Sequence, residues 1–167
     1  MKNLNKIKYY IGIDNGKNGG IVILDAERNV LEKRIMPVIG KIKKQYDINA
    51  ISRLLKLYKK NSFVILEKAQ PMFRDGKKQS FMTGYCFGMM QGILFALNMN
   101  FQIVAPKSWQ KKIFMGMKYE NTKEASKIYC MRKWQNVQWK GTPRCKKIHD
   151  GLTDACCMAE YGILLTK

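Results

Sequence analysis

Four of the chain's twelve acidic residues stand where a solvated surface carboxylate is not expected. Asp14 closes an apolar run, Glu67 follows Val64-Ile65-Leu66, and Asp150 and Asp154 open an otherwise apolar C-terminal segment of helical spacing. Residues four apart share a helix face, so these two acids point the same way, displaced by about 40°. Leu152, Cys156, Ala159 and Ile163 lie opposite, while Cys157, Met158 and Tyr161 surround the acid face, so the helix reads as buried all round. An uncompensated carboxylate there costs on the order of several kcal/mol. Divalent cations remove that cost, because they gather carboxylates and hold them ionised. Two such ions roughly 4 Å apart can activate a water and stabilise the alkoxide leaving a phosphodiester. Each acid also has a plainer use. Asp14 could begin the Asn15-Gly16 turn, Glu67 could simply end a strand, and Asp150 could cap its helix. Asp154 lies a turn inside the helix, beyond capping reach. The lone histidine, His149, cannot supply a Ser/His/Asp arrangement.

The charge of the chain points to what such a site would act on. Thirty-one Lys and Arg stand against twelve Asp and Glu in 167 residues, a formal +19. A polyanion is the natural partner for that excess, and nucleic acid is the first candidate. No run approaches the roughly 20 apolar residues of a membrane span. The basic N-terminus leads into a strand carrying Asp14 rather than a signal segment, so a cytoplasmic protein is expected. Five cysteines without a C-x-x-C, beside one histidine, argue for reduced buried thiols and against a structural zinc site.

The elements that must position the acids follow from patterning. Apolar composition of 46% suits a globular chain, and no repeat or linker divides 1–167, which reads as one domain. Residues 8–14 and 20–24 are β-rich runs around a polar turn, and a third strand is expected near 29–37. A helix is expected over 47–59 and a doubly buried strand over 63–66. Residues 71–79 form a polar loop, 79–98 a Gly- and Met-rich helix and 102–104 a fifth strand. Helices over 107–115, 122–133 and 149–165 complete a mixed five-stranded α/β sheet covered by helices.

At Ile11-Gly12-Ile13-Asp14-Asn15-Gly16-Lys17-Asn18-Gly19-Gly20, Val64-Ile65-Leu66-Glu67, Val104-Ala105-Pro106-Lys107-Ser108-Trp109 and His149-Asp150-Gly151-Leu152-Thr153-Asp154-Ala155 the chain resembles the RuvC-type Holliday-junction resolvases, including their phage and poxvirus relatives. The resemblance implies an RNase H-like fold with helices on both sheet faces, a homodimer and Mg²⁺-dependent cleavage of branched DNA, with Mn²⁺ substituting. It gives Asp14, Glu67 and Asp154 as metal ligands, with two ions per site. The family's remaining ligand often lies three residues before the final acid, where this chain has Gly151. Asp150 is preferred to His149 for that role. The family's lysine, four residues after the proline, is replaced here by Gln110, leaving Lys111 as the nearest catalytic candidate and Lys107 and Lys112 in reach.

Residues 107–147 hold twelve Lys and Arg against Glu120 and Glu124, more than half of the chain's net charge. This stretch should flank a DNA cleft, with Lys77, Lys78, Lys107, Lys111 and Lys112 as DNA contacts and Phe73 a candidate wedge at the branch point. Trp109, Trp134 and Trp139 could pack or stack on bases. Gly84, Gly88 and Gly92 could seat a helix on the sheet or against a second subunit. Two other readings stay open: a related enzyme acting on RNA–DNA hybrids or flaps, and a non-catalytic basic DNA-binding protein.

Overall fold

The computed structural model describes residues 7–40, 44–70 and 76–167. Its main sheet has five strands: β1 (Tyr9–Asp14), β2 (Gly20–Asp25), β3 (Val30–Ile35), β6 (Ser62–Glu67) and β7 (Asn100–Val104). The spatial order is β3-β2-β1-β6-β7. The first three strands form an antiparallel meander, and β1, β6 and β7 run parallel, as the alternation of apolar runs and helical segments required. Between them, β4 (Val38–Ile39) and β5 (Gln45–Tyr46) pair in a small separate ribbon that the sequence did not signal. Two-residue strands carry too few positions to show a period.

Alternation along the central strands sends side chains to two cores. Ile11, Ile13, Val64 and Leu66 pack beneath α1 (Ile48–Leu57) and α2 (Lys77–Ala96). Tyr10, Val22, Phe63 and Ile65 pack against the other face, under α3 (Pro106–Ile113), α4 (Thr122–Lys133) and α5 (Asp150–Thr166). The result is the expected mixed sheet with helices on both faces. Capping marks the helix starts: Asp47 Oδ1 accepts from Ala50 N–H at 2.9 Å, and Asn121 Oδ1 accepts from Glu124 N–H at 3.0 Å. No helix among the described residues is long and apolar enough to cross a membrane.

Helix α5 lies across β1 so closely that no side chain fits between them. A Cβ on Gly12 would sit 1.8 Å from the carbonyl oxygen of Ala155 and 2.6 Å from the amide of Ala159. A Cβ on Gly151 would likewise meet the backbone of Asn18 and Gly19 at 2.5 Å. The obstacles are backbone atoms of packed elements, so the helix can only back away. Gly12→Ala should therefore lower stability by about 3 kcal/mol, read as a fall in the urea midpoint. An unchanged midpoint would show that α5 can shift freely over the sheet.

Candidate active site

The parallel register of β1 and β6 pairs Ile13 with Leu66, so Asp14 and Glu67 emerge side by side at the carboxyl ends of adjacent strands. Helix α5, pressed on Gly12, adds Asp154 from above. The charges of Asp14 and Glu67 both raise the carboxyl of Asp154, so the three acids lie within one another's field. Burial is the main cause of the shift in each. It raises Asp14 above the usual carboxylate range, partly opposed by the Gly16 N–H donated to Oδ1 at 3.1 Å and by the charges of His149 and Lys123. Glu67 is pushed up to about 7 by burial, although the indole N–H of Trp109 donates to its Oε1 at 2.9 Å. Asp154 is also pushed up to about 7, with the Ser126 hydroxyl partly offsetting its burial.

None of the three is ion-paired among the described residues, whereas Asp150 is. Lys127 Nζ lies 2.7 Å from Asp150 Oδ1 and Lys123 Nζ 3.9 Å from Oδ2. The three unpaired acids are hard, oxygen-bearing, desolvated and mutually repelling, which suits a divalent cation. Among the described residues no group of three or more His, Cys, Asp or Glu side chains stands ready to hold an ion. Gly151 leaves no room for a ligand side chain, because a Cβ there would run into the backbone of Asn18 and Gly19 in the β1–β2 turn.

A cleft of about 880 Å³ opens beside Asp14 and Asp154 and is also lined by Asp150, Lys17, Lys78 and Lys123; Glu67 is not among its described lining residues. A second opening of about 690 Å³, on the far side of Asp150, is bordered by Lys127, Lys146, Lys147 and His149. The basic stretch thus flanks the acids in part. Lys111 and Lys112 do not reach them: α3 turns both toward Tyr161, Leu164 and Leu165 at the opposite end of α5. Lys77 and Lys107 are exposed outside the acid cleft, and Phe73 falls outside the described residues. His149 stands at the α5 N-cap with a buried Nδ1 that has no hydrogen-bond partner among the described residues.

Two residues at the site were missed in the sequence. Lys123, on the first turn of α4, lines the acid cleft and acts electrostatically on Asp14. Only its membership of the basic stretch hinted at this. Trp109 is a core residue, 1% exposed, whose N–H orients Glu67. Trp134 and Trp139 are buried as well, so all three tryptophans pack rather than stack on a ligand.

No protein-family model matches the sequence, and no curated protein matches it. Solved structures do. Thermus thermophilus RuvC in complex with a Holliday-junction substrate superposes with a TM-score of 0.61 at 15% identity, over 95% of this chain and 97% of that one. Another Thermus thermophilus RuvC structure gives a TM-score of 0.53 at 20% identity, over 93% and 96%. The fold of the chain is the RNase H-like fold of these RuvC structures.

Proposed function

We propose that the whole chain, 1–167, acts as one structure-selective endonuclease domain that resolves four-way and other branched DNA by paired, metal-dependent phosphodiester cleavage in the cytoplasm. The observation that carries this is three desolvated carboxylates with no ion pair among the described residues, two of them lining a cleft edged by lysines. The RuvC-like fold and the junction held by one of its neighbours agree with it.

Asp14, Glu67 and Asp154 would hold Mg²⁺ or Mn²⁺, and Asp150 would join them only by giving up Lys127. The ions would supply a water made nucleophilic at neutral pH and charge stabilisation for the leaving oxygen. Trp109 donates to the Glu67 carboxylate and would limit its reorientation when an ion is held. Lys123 and Lys78 neutralise the phosphate that approaches it. We assign the catalytic lysine to Lys123 rather than Lys111, because only Lys123 lines the cleft with the acids.

A homodimer would place two such sites on opposite strands of a junction. The outer crest of α2 supports this. Gly84, Gly88 and Gly92 have no neighbour within 4 Å of where a Cβ would stand, and Phe95 beside them is 70% exposed. That is an open, narrow ridge on which a second helix could lie close.

The direct test is cleavage of a mobile four-way junction, a flap and an RNA–DNA hybrid with Mg²⁺, Mn²⁺ or EDTA. The junction should be nicked symmetrically with either metal and untouched in EDTA; a preference for the hybrid would sink the resolvase reading. Asp154→Asn should abolish cutting and leave junction binding intact. It should also stabilise the metal-free chain. A carboxyl raised on folding binds its proton more tightly in the native state, so stability falls as pH rises from its ordinary value through about 7. At pH 8 the variant should gain about 2 kcal/mol without metal and nothing at pH 4. A metal-free melting curve unmoved at pH 8 would mean that Asp154 is not a buried charge.

Lys123→Ala should lower the rate of junction cutting about 100-fold, while Lys111→Ala leaves it near wild type. The reverse order would return the catalytic role to α3. Gly88→Glu should halve the mass seen in sedimentation and turn paired cutting into single nicks. Wild-type mass and paired nicks in that variant would place the dimer contact elsewhere.

A further inference from the structure

Beside the acid cleft lies a second cavity of about 800 Å³. Lys17, Lys44 and Lys78 edge it, and Tyr46, Phe81 and Tyr85 are among its lining residues, with no acid among the described ones. Lys17, Tyr46, Lys78 and Met82 border both cavities, so the two are continuous. Phe81 is 71% exposed and Tyr85 49% exposed; Phe81, seven residues before Gly88, shares the glycine face of α2 at its first turns, and Tyr85 lies on that face's flank. Neither has a role in either core. The cavity is also held in register with the acids. The Tyr46 hydroxyl donates to the Asn15 carbonyl at 3.0 Å, and Lys17 Nζ donates to the Lys44 carbonyl at 2.9 Å. Both bonds tie the β4–β5 ribbon to the turn that follows Asp14.

Three ammonium groups that pair with no carboxylate among the described residues call for a polyanion, and two exposed rings call for a flat apolar partner. A DNA duplex offers only the first, since its bases are stacked inside. The cavity is sized for a small ligand, within the roughly 300–1,000 Å³ of such clefts, and cannot take a double helix. We infer that this cavity seats an unpaired nucleotide of the same DNA strand whose phosphate enters the acid cleft, its base on Phe81 and Tyr85 and its flanking phosphates on Lys17, Lys44 and Lys78. The inference rests on the nuclease reading and deepens it: the favoured substrate has an unstacked base next to the cut. A junction offers one where its strands exchange. A protein segment would have to bring three carboxylates to the same lysines.

The test uses junctions carrying 5-iodouracil singly at positions on both sides of the mapped nick. They are bound to the Asp154→Asn chain, irradiated, and the crosslinked peptides identified. One position close to the nick should crosslink to the peptide covering 78–85. Adding Phe81→Ala and Tyr85→Ala should remove that crosslink and weaken junction binding about tenfold, with the sedimentation mass unchanged. A bound junction with no crosslink to this peptide overturns the inference, as does equally tight binding by the doubly substituted chain. A fall in mass on that substitution also overturns it, because the shelf would then be covered by a second protomer. If the junction is neither bound nor cut by the parent chain, the nuclease reading falls too; if it is cut without the crosslink, only the seat does.

Discussion

The site depends on one steric fact, the absence of a side chain at Gly12. Any Cβ there would collide with the backbone of α5. Because the helix can lie directly on β1, Ala155, Ala159 and Gly162 become its contact line. Asp154, one residue before Ala155, is carried to the end of the strand that bears Asp14. Gly151 repeats the device one turn earlier, against Asn18 and Gly19. Small residues on both surfaces hold a helix and a strand close enough for their acids to share a field.

That closeness has an electrostatic cost, and the rest of the site is arranged around it. Two strand ends and a helix converge, water is displaced, and Glu67 and Asp154 are driven up to about 7. The fold relieves this only slightly, through Trp109 on Glu67, Gly16 N–H on Asp14 and Ser126 near Asp154. Elsewhere it treats buried acids differently. Glu160, on the same helix and 1% exposed, is met by Arg28 at 2.9 Å and Lys133. Of these two acids in one helix, Glu160 is fully paired and Asp154 has no ion pair among the described residues, the contrast that the proposed ion site requires.

Much of this was legible in the sequence because it rests on local patterns. The meander, the doubly buried β6 and the boundaries of α4 follow from apolar spacing and turn residues. Asp154 stood out because an acid inside an apolar helix has no local excuse. What was hidden depends on contacts between distant segments. The start of α2 reads as a polar loop because Lys77 and Lys78 face solvent there. Lys111 was the catalytic candidate because it stands next to Gln110, which occupies the position the resemblance gives to a lysine, yet α3 turns it away; Lys123 arrives from a separate helix. The lysines that pair Asp150 also come from α4, so no inspection of the α5 segment could reveal that this acid already has its counter-charge.

The central claim is that the open carboxylates form an ion site, and calorimetric titration of the chain with Mn²⁺ at pH 8 and pH 6 tests it most directly. The expected result is saturable binding of two ions per chain at pH 8, weaker at pH 6 where Glu67 and Asp154 hold protons, and lost in Glu67→Gln. Binding that is absent from the wild-type chain, or that is indifferent to both pH and the Glu67 substitution, would contradict it.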